Sequence, residues 1–539
     1  MDNSTPKVPG PKRLTFGVEL EFMVPWLYPE AEDPLADIEG LPPVLRVVNT
    51  PVTRSYEAEN EVRDIIKKLL EKHGLKRDVR ALRYSSAAEE AALARYANWE
   101  VTGDATVNEP LYDNKHEWVT KYGWVDVEIQ SPVEPDIPVA FRIIQWVCGL
   151  LTSTYRMRVN PSCGLHVHVG RGAERFSLTE MRRISSLVWA AEPLLATLND
   201  PARQGNRHTL ALRDRSAMAT GEPLALEHDA PPGPGDGQER ASLCARYLAQ
   251  DVRHGEQPVS WRYENRDEDQ VLAFERTRRA GCWGPFYYDP DRENDDGEGR
   301  EPVLPDDPDV DEPRKGESVL DAAIEARVAK AAEASGASWV VPGAFPPWEQ
   351  VRERTIPRIR LPRRTAAQRQ ALAAQLAPYG CADPGPEVAR RGADPGVWAG
   401  VALLQSCASS CEVAARMRTA GSRGTVDFGA YACDAVRAGR RPTIEFRGAE
   451  GVLGPWAATW AAICVGLVRF AVGAPPDEFL AVVDRCARAA PPDLLAYDAV
   501  DLLDDLALFA EAELAERRVR ANRRRWGLEW VKREEGGGK

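Results

Sequence analysis

The chain has 539 residues, 43% hydrophobic and 28% charged, with a mean hydropathy of -0.40, which fits two or three globular domains or one enlarged α/β domain carrying an insertion and excludes collagen and coiled coil. The formal charge is -13, but residues 289–312 alone hold 12 Asp/Glu against 2 Arg, so the remainder is nearly neutral. With a pI near 5.3 no positive face is left for nucleic acid, which is not expected as a partner.

Residues 1–12 read as a disordered leader. Leu14–Val24 then reads as a strand and Pro29–Pro51 as a Pro-rich loop. Glu59–Lys72 carries Val62, Ile65, Ile66, Leu69 and Leu70 at helical spacing, with Gly74 at the C-cap position. Trp99–Val107 and Gly123–Gln130 alternate as strands, Val139–Leu151 reads as a buried helix, and Cys163–Val169 as another strand. Ser177-Leu178-Thr179-Glu180 is a capping box opening a helix to about Leu198. Residues 220–317 turn Pro-, Gly- and acid-rich and read as an insertion, and the Gly233–Gly237 run inside it lacks the strand and helix of a phosphate loop. Helices are expected at Val319–Ser335, Ala366–Leu376, Trp398–Arg418 and Pro455–Val472, with a strand at Pro442–Arg447. The order is α+β, with 13–219 and 318–515 expected to form one catalytic domain and 516–539 a charged tail. Arg517–Arg525 reads as a solvated helix end rather than a patch for an anionic partner.

The N-terminal sequence MDNSTPKVPGPKR has no apolar core of a signal peptide, and the ten cysteines are scattered, which points to a reducing, intracellular and cytoplasmic setting. Cys407 and Cys411 read as packed thiols rather than ligands. Trp456–Val468, stopped by Arg469, is too short to span a bilayer and reads as a buried helix, so no membrane is expected.

Four strands each place two ionisable groups on one face. Residues i and i+2 share a face, so Glu19 and Glu21, Asp126 and Glu128, His166 and His168, and Glu445 and Arg447 each project together, while Val, Leu, Ile and Phe between them face a core. Any one pair is the wet side of an ordinary sheet. Together they hold acids, imidazoles and one Arg, with no Lys, and two carboxylates about 4 Å apart cost on the order of 4 kcal/mol at an intermediate dielectric. A divalent cation answers that repulsion, hard oxygens favouring Mg²⁺ and imidazole adding tolerance of Mn²⁺. Arg447 would hold a transferring phosphoryl group, and with no Walker A sequence the phosphates would be met by side chains and metal.

Phe16-Gly17-Val18-Glu19-Leu20-Glu21-Phe22, Trp99-Glu100-Val101-Thr102-Gly103-Asp104-Ala105-Thr106, Val127-Glu128-Ile129-Gln130-Ser131-Pro132, Cys163-Gly164-Leu165-His166-Val167-His168 and Thr443-Ile444-Glu445-Phe446-Arg447 occur in the order of the amidoligase family, which the chain resembles over roughly residues 13–210 and 396–475. That family is similar to the carboxylate–amine ligases related to glutamine synthetase and γ-glutamylcysteine synthetase. The resemblance implies a glutamine-synthetase-like antiparallel sheet whose polar concave face binds ATP and Mg²⁺, with helices packed on the other face. It implies amide formation through an acyl phosphate, with small-molecule or peptide carboxylates and amines as substrates and an oligomer as an option. By position, Glu19, Glu21, Glu128, His166 and Glu445 are the implied metal ligands and His168 the implied ATP-phosphate contact. Arg447 is implied to bind ATP and stabilise the phosphoryl group, and Asp104 to be a catalytic residue near the metal or the amine. A further Arg expected after the His strand is Arg203 or Arg207. The alternatives are a metal-dependent hydrolase and a non-catalytic nucleotide- or partner-binding descendant.

Overall fold

The computed structural model describes residues 13–75, 98–111, 117–172, 175–221, 354–361, 364–383, 395–407, 409–419, 424–432, 442–489 and 497–530. The expected leader, the 220–317 insertion after residue 221, the expected helix Val319–Ser335 and the end of the charged tail lie outside them.

Six antiparallel strands form the centre: β1 (Thr15–Leu27), β2 (Glu100–Thr102), β3 (Gly123–Gln130), β4 (Gly164–Gly170), β5 (Val426–Asp427) and β6 (Ile444–Glu450). They lie in the order β2-β3-β1-β4-β6-β5, with two short pieces, Leu45–Arg46 and Glu134–Pro135, added beside β1. The result is an α+β fold on a mainly antiparallel sheet. Alternation decides which face is covered: Phe16, Val18, Leu20, Phe22, Val125, Val127, Ile129, Leu165, Val167, Val169, Ile444 and Phe446 all enter one buried core. Helices α1 (Ala58–Lys72), α2 (Pro138–Thr154), α3 (Leu178–Leu195) and α7 (Pro455–Gly473) supply its other side. Between α3 and α7 in sequence come α4 (Ala366–Leu376), α5 (Val397–Ser406) and α6 (Ser410–Met417); α8 (Pro476–Arg488), α9 (Ala499–Asp505) and α10 (Phe509–Trp526) follow.

The expected capping box is formed, Ser177 accepting from the Glu180 amide while Glu180 accepts from the Ser177 amide. The expected single helix Trp398–Arg418 is two. Cys407 leaves helical geometry at ψ 134°, and Ser409 takes the Glu412 amide at 3.0 Å to start α6. The expected strand Trp99–Val107 shortens to β2, because Asp104 Oδ1 accepts from the Thr106 amide at 2.7 Å and closes a turn. Cys407 is a buried free thiol, whereas Cys411 is disulfide-bonded, so the packed-thiol expectation holds for Cys407 only. Helix α7 is, at 19 residues, long and apolar enough to cross a membrane, against the expectation from the shorter stretch; its side chains are nevertheless mostly buried in the core. Residues 516–526, expected in the tail, continue α10, where Ala515, Val519 and Trp526 are buried. Arg518 stacks over Trp456 and Trp526 and pairs with Glu450, drawing one Arg of that run inward.

The Pro-rich loop is pinned at two places. Glu61 of α1 accepts from the Val48 and Asn49 amides at 2.8 and 2.9 Å. Arg156 forks onto both oxygens of Asp33 at 3.0 Å, and the Tyr122 hydroxyl donates to Asp33 at 2.5 Å. Burial pushes the Asp33 carboxyl up, but the Arg156 fork and the Tyr122 and Leu35 donors outweigh it and bring it from 3.8 down to about 2. A depressed folded-state value means stability is present above the unfolded value and lost as pH falls through the folded one. Asp33→Asn should therefore remove about 1–2 kcal/mol of stability at pH 6 and little at pH 2, measured by urea unfolding at both. An equal loss at both pH values would contradict the charge-based pin.

Candidate active site

On the uncovered face, pairing brings the chemically active residues side by side. Glu21 pairs with Glu128 across β1 and β3, and Glu19 stands between Gln130 on β3 and His166 on β4. His168 pairs with Glu445 of β6, which pairs in turn with Asp427 of β5. Directly paired residues on antiparallel strands have side chains within reach of one another.

His166 Nδ1 lies 3.0 Å from Glu19 Oε2 and 3.5 Å from Glu445 Oε1, and its Nε2 lies 3.5 Å from Glu21 Oε1. Ligand atoms of Glu19, His166 and Glu445 fall within 4.8 Å of one another. His168 Nε2 is 3.2 Å from Glu19 Oε1 and 3.9 Å from Glu445 Oε1, while its Nδ1 is 3.1 Å from the Thr443 hydroxyl. Arg447 Nη1 holds Glu445 Oε1 at 2.5 Å. Gln130 Nε2 bridges Glu128 at 2.6 Å and Glu19 at 3.5 Å, and the Gly164 amide donates to Glu21 Oε2 at 2.6 Å. Glu19, Glu21, Glu128, His166, His168, Glu445 and Arg447 thus share one cluster.

Their protonation follows from crowding. Burial opposes ionisation of Glu19, yet His168 and His166 overcome it and hold this carboxyl well below the usual range. Burial also opposes ionisation of Glu445, which His168, Arg447 and His166 likewise pull down. Glu128 gains no such partner: burial, then the Glu19 charge, push it up to about 7 despite Gln130, with Glu21 and Asp104 adding to the rise. Burial opposes protonation of His168, but Glu445 and Glu19 lift it to about 9. His166 is raised against its burial by Glu21, Glu19 and Glu445. The surrounding carboxylates thus drive both imidazoles toward their charged forms.

Several participants escaped the sequence reading. Asp427 is held by the Gly429 amide at 3.0 Å and pushed up to about 6 by burial and by Glu445. It sits on a two-residue strand, too short for an alternation signal. Gln130 and Thr443, each two residues from a named acid in the sequence, were accessible from the i, i+2 rule. Asp104 stands apart from the cluster, its carboxylate committed to the turn, although its charge reaches Glu128. Asp126 is occupied by Arg63 at 3.0 Å.

Between Arg203 and Arg207 the geometry decides. Arg207 is exposed; Arg203 is buried. Leu165 pairs with Ala449 but Val167 with Phe446, so β6 carries one extra residue there. Arg203 spans this bulge, donating to the Cys163 carbonyl at 3.3 Å and the Arg447 carbonyl at 3.0 Å, while the Arg447 amide donates to the Thr425 carbonyl at 2.8 Å. It reaches the Arg447 carbonyl at the bulge, while the Cys163 carbonyl also accepts from the Gly451 amide at 2.8 Å. A Cβ at Gly164 would lie 2.9 Å from His166 Nε2, 3.0 Å from Arg203 Nη2 and 3.2 Å from Glu21 Oε2. Gly164→Ala should therefore destabilise the protein by about 1–3 kcal/mol in urea unfolding, since three charged or polar groups cannot all retreat; unchanged stability would show the cluster to be loosely held.

The family model described as "Putative amidoligase enzyme" matches residues 12–219, a segment containing β1 to α3 and the residues Glu19, Glu21, Glu128, His166, His168 and, after α3, Arg203. No curated protein matches the chain, and no solved structure does. Residues 12–219 thus match the amidoligase family, the one its ordered motifs resemble and one whose label denotes amide-bond-forming ligases.

Proposed function

We propose that this protein is an ATP- and Mg²⁺-dependent carboxylate–amine ligase that forms an amide through an acyl phosphate, on a glutamine-synthetase-like sheet. The observation carrying this reading is the convergence of Glu19, His166 and Glu445 donor atoms within 4.8 Å, beside an Arg447 already bound to Glu445.

The residues fit a divalent cation. Oxygen donors predominate and one imidazole is admixed. Glu19, Glu21, Glu128, His166 and Glu445 would hold Mg²⁺ or Mn²⁺, which when bound supplies charge neutralisation for nucleotide oxygens. His168 would face the ATP phosphates. As the substrate carboxylate attacks the γ-phosphorus and ADP departs, Arg447 would stabilise the negative charge spread over the transferring group. The amine nitrogen then attacks the acyl carbon, the C–N bond forms, inorganic phosphate leaves with the C–O bond pair, and the nitrogen's surplus proton passes to the departing phosphate or to water. Asp104, at the margin beside Glu128, would orient the amine.

ADP and phosphate should form only when Mg²⁺, an acid and an amine are all present. Glu445→Gln removes a ligand and the Arg447 partner together, so turnover should fall about 100-fold or more. Mass spectrometry of an acid-plus-amine panel measures both; full turnover in that variant would remove the proposed site.

A further inference from the structure

Where Arg447 stands depends on a strand of two residues. β5 pairs Val426 with Phe446 and Asp427 with Glu445, and the ladder runs one bond further, the Arg447 amide donating to the Thr425 carbonyl at 2.8 Å. The Arg447 carbonyl accepts from Arg203 at 3.0 Å. Its guanidinium meets Glu445 through Nη1, while among the described residues its buried Nε has no hydrogen-bond partner. The aim of this side chain therefore follows its backbone, and that backbone follows Thr425.

Thr425 is in turn held by a carboxylate that the proposed reaction does not use. Its hydroxyl donates to Glu192 Oε1 at 2.5 Å and its amide to the Leu210 carbonyl at 2.9 Å. Glu192 stands on α3, only 7% exposed, and also accepts from the Leu212 amide at 2.7 Å on the same oxygen and from the Arg213 amide at 3.2 Å on Oε2. Its neighbours on the helix, Val188, Ala191 and Leu195, are core, and burial pushes its carboxyl up, so an apolar side chain would cost less at this position. What the carboxylate adds is a junction that ties α3 and the turn at Leu212 to the residue entering β5. A Cβ at Gly448 would lie 3.6 Å from that of Thr425, so the threonine also packs against β6.

We propose that Glu192 and Thr425 are positioning residues for Arg447: the buried carboxylate fixes the Thr425 hydroxyl, and the Thr425 carbonyl fixes the strand position from which the guanidinium reaches the site. This rests on the ligase reading for what Arg447 meets, the transferring phosphoryl group, while the link from Glu192 to the Arg447 backbone stands without it.

Thr425→Val, which removes the hydroxyl and keeps the shape, and Thr425→Ser, which keeps the hydroxyl, test the link in the full chain by two measurements. One is hydrogen exchange of the Arg447 amide, with the amides of β4 as internal control; the other is Mg²⁺-dependent affinity for a non-hydrolysable ATP analogue against ADP. Thr425→Val should speed exchange at Arg447 about tenfold, leave β4 unchanged, and weaken the analogue about tenfold while ADP binds as before. A general loss of stability would instead move β4 and both nucleotides together. Thr425→Ser should restore both readouts, and Glu192→Gln, which keeps an oxygen for Thr425, should fall between. Unchanged exchange at Arg447 in Thr425→Val, an equal rise in β4, or no rescue by Thr425→Ser would overturn the link. Faster exchange at Arg447 alone, with the analogue unaffected or no nucleotide bound by any variant, would keep the link and sink the role given to Arg447 in the ligase reading; unchanged exchange with normal analogue binding would do the reverse.

Discussion

Five carboxylates, Glu19, Glu21, Glu128, Glu445 and Asp427, are crowded onto one face of a sheet whose other face is solid core, and their mutual repulsion is the constraint that shapes this protein. At an intermediate dielectric each close pair costs on the order of 4 kcal/mol if both members ionise. The chain answers in three ways at once. Arg447 neutralises Glu445, the imidazoles of His166 and His168 are driven toward their charged forms, and Glu128 and Asp427 are driven toward neutrality. A divalent cation, as proposed, would take over that balance and release the protons.

The fold makes the crowding affordable. Apolar residues at alternate positions anchor β1, β3, β4 and β6 against α2, α3 and α7, so the polar side chains cannot swing away without turning a strand over. The bulge in β6 sits where Glu445 and Arg447 must stand beside the two imidazoles, and the buried Arg203 supplies donors to the carbonyls there. Gly164 leaves the space in which His166, Arg203 and Glu21 meet. Arg203 therefore acts on the site through the backbone and through its charge beside Glu21.

Much of this was legible in the chain. The period-two pattern in Gly17–Phe22, Val125–Ile129 and Leu165–Val169 is enough to put Glu19, Glu21, Glu128, His166 and His168 on one face, because side-chain direction in a strand is local. Local capping chemistry likewise placed the start of α3 at Ser177. What escaped depends on contacts distant in sequence. Asp427 is recruited by register with Glu445 on a strand of two residues, and Arg203 is chosen over Arg207 by a bulge. The split between α5 and α6 was missed for the opposite reason: a continuous apolar pattern masked a Ser cap that had a local signature.

The most direct test of the central claim is anomalous diffraction from crystals of the protein grown with Mn²⁺ and a non-hydrolysable ATP analogue. The account predicts a Mn²⁺ peak on the polar sheet face at ligand distance, about 2 Å, from Glu19, His166 and Glu445, with analogue phosphate oxygens beside it. Side chains still paired to one another around no such peak, with the nucleotide bound elsewhere or absent, would contradict it.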